Sequence, residues 1–435
     1  MKRTILKSWL IALAVVGGLS ACDLITEDRD DCPTGLYVTF VYDYNIQQAD
    51  MFKDHVGGLT LYVYDESDHL VASKSMSAEK LRRYGSYLHF TEGELAPGHE
   101  YRLMAVAMQK DWNMALGTPG AKYRQTGNNS GAEWNQFYID LDHTTTRLPA
   151  NWYYVSNAAP LDTLWHTLST ITTPADSMPK TSYPDMLYPA KTAYAWQRDG
   201  SIKSNGVEKV TLIKDEPTYA TVSLIRDTNH LNITLRQLNY ELSGNTLEDN
   251  MVNDEDYTVE IVDNNSQLDC RNDLSKPADT LIYTPYKQWT TTFVGSGEVP
   301  TESAAHYDIM FNRLVYKNAN VDNDKYAILN EEDIAKAQNA VLVIRKNFRK
   351  GLYEVPYGND EDSDIIFAIN LPYILSSGRT YFERYYHYQE YLDREYDYRL
   401  QFIIRGGRVD EIYLYLGTHV HIIPWALRSQ HEVLD

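Results

Sequence analysis

The sequence predicts an all-β protein, and three observations predict it. Apolar and polar residues alternate with a period of two in many short runs, as half-buried strands require. Tyr, which suits pleated surfaces buried on one side, occurs 35 times against 10 Phe. Convincing helical periodicity is confined to one stretch near the C-terminus.

The alternation begins early. Leu36, Val38, Phe40, Tyr42 and Tyr44 alternate with Tyr37, Thr39, Val41 and Asp43. Leu59, Leu61 and Val63 alternate with Thr60, Tyr62 and Tyr64. The polar turn Asp65 to His69 then leads to Leu70-Val71-Ala72, which predicts a hairpin with one face buried. Tyr101, Leu103, Ala105 and Ala107 continue the pattern after the turn at Pro97-Gly98. From about Gly117 to Glu216 the pattern weakens. Pro119, Pro149, Pro160, Pro174, Pro179, Pro184 and Pro189 punctuate it, together with Thr-rich runs such as Thr144-Thr145-Thr146. Long loops or decorated edges fit this stretch better than core strands.

Alternation returns at Val222 and Leu224. The polar turn Asp227-Thr228-Asn229-His230 leads to Leu231, Ile233 and Leu235, which predicts a second hairpin. A second domain is placed just before it. Short strands are expected at Tyr257 to Val262, Leu281 to Thr284, Ala340 to Ile344 and Ile365 to Ile369, a regularity typical of a β-sandwich. Tyr381, Tyr385, Tyr388 and Leu392 recur at one face of a helix. The period then switches to two, with Tyr396, Tyr398, Leu400, Phe402 and Ile404 on one face. The Gly406-Gly407 turn leads to Ile412, Leu414 and Leu416, and a last strand runs from His419 to Trp425.

The first residues are a different kind of segment. Lys2, Arg3 and Lys7 make a basic region, and the apolar core from Ile5 to Leu19, interrupted mainly by Lys7 and Ser8, is too short to span a bilayer comfortably but shaped like a secretion signal. It ends Leu19-Ser20-Ala21-Cys22, which resembles the bacterial lipobox. Small residues admit a peptidase beside the scissile bond, and the Cys22 thiol accepts a diacylglycerol. One acyl chain holds only marginally, at about 0.8 kcal/mol per buried CH₂, so the three chains of a bacterial lipoprotein are expected to hold stably. Asp23 to Asp31 contains five acidic residues and one basic one, a solvated tether. In Bacteroidetes lipoproteins such a run resembles a surface-export signal; in enteric bacteria, Asp after the Cys indicates inner-membrane retention instead.

The formal net charge is −20, and removing Lys2, Arg3 and Lys7 with the leader makes it more negative still. Phosphate contact with nucleic acid is therefore not expected. Three Cys are present. With Cys22 consumed by lipid, Cys32 and Cys270 form the only possible internal pair in an oxidising setting, with two buried thiols as the alternative.

Motifs of chemistry are wanting. The sequence holds no phosphate-binding Gly-rich loop, no Gly-x-Ser-x-Gly elbow, no His-Glu-x-x-His helix and no paired Cys-x-x-Cys knuckle. His419 and His421 share a strand face and could meet one ion, yet no third ligand is near, so two ordinary strand residues are the simpler reading. Asp254-Glu255-Asp256 and Asp360-Glu361-Asp362 lack calcium-loop spacing and read as solvated loops. Trp112, Trp134, Trp152 and Trp165 could stack on sugars if exposed, or fill cores and subunit contacts. No enzyme activity, metal or other cofactor beyond the covalent lipid is expected.

Several stretches together resemble the FimB-type anchor subunits of Bacteroidetes fimbriae, the lipoprotein anchors of type V pili. They are Cys32-Pro33-Thr34-Gly35-Leu36 with its strand, Asn45 through Phe52, and Leu59-Thr60-Leu61-Tyr62-Val63-Tyr64-Asp65-Glu66. Ser223 to Asn229, Tyr391 to Tyr396 and Ile422-Ile423-Pro424-Trp425 complete the set. The resemblance spans nearly the whole mature chain. It implies two tandem transthyretin-like β-sandwiches, with the short helix in the second. The organisation is then a leader at 1–21, a lipidated acidic tether at 22–32, an N-terminal sandwich at 33–214 and a C-terminal sandwich at 215–435.

The resemblance also implies an outer-membrane, surface-exposed location at the base of a fimbrium. Shaft or accessory subunits are the implied partners, engaged through β-strands, with no small-molecule substrate. Shaft subunits of that system shed a first strand and accept another subunit's C-terminal strand. A chain tethered at Cys22, just ahead of Leu36 to Tyr44, cannot shed its first strand without losing its anchor, so growth stops there. The segment from Thr418 onward is the expected contact with the neighbouring subunit. The competing reading is a surface glycan-binding lipoprotein of a polysaccharide-uptake system, distinguished by what it co-purifies with.

Overall fold

The computed structural model describes residues 33–77, 79–80, 87–110, 123–126, 132–145, 152–155, 160–173, 194–196, 202–204, 206–238, 251–274, 280–294, 300–317, 329–347, 363–381, 387–405, 408–416 and 419–423. Strands dominate them. The first half holds β1 (Gly35–Val41), β2 (Gly58–Tyr64), β3 (Leu70–Ser77), β4 (Tyr87–Phe90), β5 (Glu100–Met108), β6 (Tyr123–Thr126), β7 (Tyr138–Leu141), β8 (His143–Thr145), β9 (Trp152–Val155), β10 (Leu164–Thr173), β11 (Tyr194–Trp196), β12 (Ile202–Ser204), β13 (Val210–Thr211) and β14 (Pro217–Arg226). The second half holds β15 (Thr228–Gln237), β16 (Tyr257–Asp263), β17 (Gln267–Asp269), β18 (Thr280–Tyr283), β19 (Lys287–Val294), β20 (Pro300–Asn312), β21 (Val341–Asn347), β22 (Ser363–Asn370), β23 (Asp397–Arg405), β24 (Arg408–Leu416) and β25 (His419–Ile423). Short helices interrupt: α1 (Phe52–His55), α2 (Glu331–Lys336), α3 (Leu371–Ser376) and α4 (Tyr388–Arg394).

The first sheet runs β3-β2-β5-β10-β14-β1-β4, with β13 also pairing β5. Its apolar face closes on one core built from Leu36, Val38, Leu61, Leu103, Trp165 and Val222 among others. The expected hairpin of β2 and β3 is present, antiparallel, with a bulge at Val63/Tyr64. Asp65 Oδ1 holds its turn by accepting the backbone N–H of Ser67 and of His69, each at 2.9 Å. β2 is buried on both faces. Leu59, Leu61 and Val63 fill the first core, while Tyr62 and Tyr64 turn to a second. There Phe137 meets Tyr62, with ring centroids 5.1 Å apart, and Trp134 meets Tyr64 at 5.2 Å.

The second half builds two larger sheets, β19-β20-β15-β23-β24-β25 and β22-β21-β16-β18-β9-β8, and shares a small one, β17-β7-β6. The strands expected near Tyr257, Leu281, Ala340 and Ile365 are β16, β18, β21 and β22. The switch to a period of two is borne out in β23, where Tyr398, Leu400, Phe402 and Ile404 are all buried.

Four expectations need correction. The predicted hairpin across Asp227 does not form. β14 lies between β10 and β1 of the first sheet, while β15 lies between β20 and β23 of another. Asp227 alone separates them, so the chain changes sheet there and not between 214 and 215. The Pro/Thr-rich stretch is not only loops, because β10 is a central strand paired to β5 and β14, with a bulge between Thr167 and Ser169.

The same stretch also joins the second half. β9 pairs in parallel with β18, and β7 pairs with β17. The two halves are interlocked through one core. The helix expected from Tyr381 is shorter. Tyr381 ends a 3-10 turn, is 46% exposed, and α4 starts at Tyr388; Tyr385 lies outside the described residues.

Candidate functional site

The tether enters the fold at β1. Gly35 has φ +86, the left-handed region, and a Cβ there would collide with the Phe90 carbonyl oxygen. β1 then takes neighbours on both edges. It pairs in parallel with β14 from Gly35↔Pro217 to Val41↔Ser223 and antiparallel with β4 from Leu36↔Phe90 to Thr39↔Tyr87. Leu36 and Val38 are fully buried and Phe40 nearly so, each side chain contributing about 1.5–3 kcal/mol. On the other face Tyr37 stacks on His89 at 4.1 Å and lies beside Tyr87 and Tyr219.

Beyond β1 the chain crosses to the second half. Asp50 Oδ1 accepts the N–H of Tyr42 and of Phe52, each at 3.0 Å, and Asn45 Nδ2 donates to the carbonyls of Tyr42 and Ala49. This shapes a loop whose Ile46 N–H donates to the Arg394 carbonyl on α4 at 3.1 Å. The Arg394 guanidinium is buried, 4.1 Å from the Tyr44 ring centre, and donates from Nε to Glu390 at 3.0 Å. The first strand is thus tied through its own loop to an element more than three hundred residues later.

A polar junction holds the change of sheet. Arg313, just after β20, donates from Nε to Asp227 and from Nη1 to Asp393 on α4, both at 3.1 Å, and from Nη2 to the Asn272 carbonyl. Asn272 Nδ2 donates back to Asp227. Burial pushes the Asp227 carboxyl up to about 7, against the pull of Arg313. Burial alone would lower Arg313, but Asp393 and Asp227 raise it above its ordinary value. Tyr123 joins the cluster through hydrogen bonds to Asn312 and Thr228.

The other candidate residues distribute as follows. Cys22 and Cys32 lie outside the described residues. Cys270 is a buried free thiol, pushed up to about 11 by burial and by Asp269. Trp134 and Trp165 are core residues, 7% and 1% exposed, and so do not offer sugar platforms. Trp112 lies outside the described residues, as do the side chains of Trp152, His419 and His421. Among the described residues no group of three His, Cys, Asp or Glu is placed to hold a metal ion.

Asp254-Glu255-Asp256 forms a 3-10 turn in which Asp254 accepts from Thr290. The cluster at 360–362 lies outside the described residues. β25 is the edge strand of its sheet, paired only to β24 among the described residues, and residues from 424 onward lie outside them.

Sequence reasoning missed the junction. Arg313 and Asp393 carry no local signal, since their partners are 86 and 80 residues away. It also missed α2 and α3, although signals existed. Asn330 and Asp333 cap α2 reciprocally, and Asn370 caps α3 ahead of Pro372.

Interlocked all-β cores, a doubly paired first strand and an edge strand at the C-terminal end of the described residues define an all-β scaffold. The sequence matches the family of fimbrillin-A associated anchor proteins Mfa1 and Mfa2 over residues 29–188 and 204–431, and the chain belongs to that family. It is a family of fimbrium-associated structural proteins, not of enzymes.

The fold is similar to three solved structures. A candidate adhesin from Bacteroides thetaiotaomicron shares 18% identity, with 90% of this chain and 98% of that chain covered and a TM-score of 0.58. A candidate polysaccharide-binding protein from the same organism shares 19%, with 90% and 98% covered and a TM-score of 0.55. A candidate adhesin from Bacteroides ovatus shares 18%, with 90% and 97% covered and a TM-score of 0.54. At these identities the likeness is one of fold. Comparison of the sequence with the curated proteins finds no match.

Proposed function

We propose that this chain is a lipid-anchored fimbrial subunit that ties the fimbrial shaft to the outer membrane and ends its growth. In this reading the leader 1–21 is removed, Cys22 carries the lipid, and 22–32 is the tether to two transthyretin-like sandwiches. The observation that carries the reading is the double pairing of β1. Seven of its residues face β14 and four face β4. A strand held on both edges, and joined at its start to a lipid, cannot be exchanged for a neighbour's strand. Its groove stays filled, so no further subunit is accepted on that side. The edge of β25, unpaired among the described residues, and the chain beyond it then offer the contact to the shaft.

The test is genetic and biochemical. The tagged protein is recovered from its fimbriated host, and its partners are identified by mass spectrometry. Fimbrial subunits are expected, and Cys22→Ala is expected to release fimbriae into the medium. Truncation at Thr418 is expected to leave the protein on the membrane while fimbriae detach. Fimbriae that remain attached after both changes would overturn the reading. Recovery with polysaccharide-uptake transporters instead would replace it.

A further inference from the structure

β1 and β14 run in parallel, so Gly35 and Pro217 mark the same end of the pair. The tether enters at Gly35. β14 runs on to Arg226, and Asp227 alone joins it to β15 of the second half. Tension between the tether and the second half therefore enters the pair at one end and leaves it at the other. In a parallel pair the bonds are evenly spaced. Such a pull slides one strand along the other and loads the bonds at all seven registered positions together. β4 adds four positions on the other edge of β1, loaded in the same lengthwise sense. A pull that parted the strands at Gly35 and Pro217 would instead break the same bonds in turn. β3, β2 and β5 pair with neither β1 nor β14, so they lie off this line.

The far end of β1 is stopped as well. The loop after it carries Ile46, whose side chain packs against the second core and whose N–H donates to the Arg394 carbonyl at 3.1 Å. The buried Arg394 guanidinium lies 4.1 Å from the ring centre of Tyr44. Asn45, fully buried, closes the loop by donating to the carbonyls of Tyr42 and Ala49. To slide out toward the tether, β1 must drag this loop away from α4. At the entry, the Thr34 carbonyl is held by His89 Nε2 at 2.8 Å.

We propose that β1 is the load-bearing strand of this protein, carrying tension from the tether into the second half lengthwise, against β14 and the stop at α4. That β1 is loaded in the cell rests on the function proposed above, with a membrane at one end and a shaft at the other. The clamp is a property of the purified chain.

The experiment is single-molecule force spectroscopy on the full-length chain carrying Cys22→Ser, with one DNA handle on Cys32. The second handle is placed on Arg399→Cys, exposed on β23 just beyond α4, or on Lys214→Cys, exposed just ahead of β14. Cys270 is buried and takes no handle. The first choice slides β1 along β14; the second peels it away. Far-ultraviolet circular dichroism confirms that each variant is folded. The sliding geometry is expected to hold to a severalfold higher force. At equal force it is expected to last at least about tenfold longer, because forced opening is governed by the opening rate.

Ile46→Pro tests the stop. It removes the N–H that donates to the Arg394 carbonyl, at the second position of the Asn45–Gln48 turn, where Pro is favoured. It is expected to lower the sliding force and leave the peeling force unchanged. Should it fail to fold, Tyr44→Leu, which removes the ring beneath the guanidinium, is expected to do the same. Equal forces in the two geometries, or a sliding force indifferent to both substitutions, would overturn the proposal. Equal forces in a chain that recovers fimbrial subunits would remove the clamp and leave the proposed function standing. A higher sliding force in a chain that recovers none would keep the clamp and remove the proposed function.

Discussion

Arg313 Nε lies 3.1 Å from Oδ1 of Asp227, the single residue between the last strand of one sheet and the first of the next. The Asp227 N–H donates to the Leu164 carbonyl and its carbonyl accepts the Arg313 N–H, each at 2.8 Å. The crossing between sheets is therefore pinned by backbone and side chain together.

Arg313→Met is expected to destabilise the protein by about 3–5 kcal/mol, because it leaves the buried carboxylates of Asp227 and Asp393 without their cation. Urea denaturation measures it. A loss below about 1 kcal/mol would mean that Asn272 and Gln389, which also donate to these carboxylates, hold them without the guanidinium.

Glu260 sets a pH dependence. Burial pushes its carboxyl from 4.5 up to about 7, opposed by Arg345 and reinforced by Glu331. The unfolded chain releases this proton first, so the folded state binds more protons between these values. This group's contribution to stability is full below about 4.5 and is lost as pH rises through about 7. Asp227 and Asp263 are raised in the same sense. Glu260→Gln is expected to flatten the decline by on the order of 1–3 kcal/mol without abolishing it. Unfolding free energies measured across that range decide; an unchanged slope would show that the carboxyl stays ionised throughout.

Gly35→Ala is expected to cost at least about 1–3 kcal/mol, since it adds backbone strain at φ +86 to a collision with the Phe90 carbonyl. Its effect should be to loosen β1 from β4. Hydrogen exchange at Tyr37 to Thr39, faster in the variant than in the parent, is the readout.

Phe40→Ala is expected to cost about 3–5 kcal/mol. Phe40 is 4% exposed and lies 5.9 Å, centre to centre, from Phe52 on α1. The unfolding midpoint in urea measures the loss. A value near 1 kcal/mol would mean that α1 collapses into the space.

How much was legible follows from what a sequence pattern encodes. Alternation at Leu36, Val38 and Phe40, or at Tyr398, Leu400 and Phe402, reports that one face is buried, and these residues are buried. It does not report the partner strand. Val222 and Leu231 lie either side of a polar turn and look like a hairpin, yet they belong to different sheets. β2 shows the same limit. Its alternation of Leu and Tyr reads as inside and outside, but its Tyr face is the inside of a second core. β10 was hidden because, beyond Leu164 and Trp165, its buried positions are His166, Ser169 and Thr170, with a bulge that breaks the period.

The sequence by itself determined the strand class, the β2–β3 turn and the strands β15, β16, β18 and β21 to β25, because each depends on residues close in the chain. Only the tertiary structure decided the sheet order, the interlocking of β7 and β9 with the second half and the junction at Asp227. These depend on which distant backbones share hydrogen bonds. A period-two pattern is compatible with any neighbour of matching face, so the choice falls to the packing of the whole core.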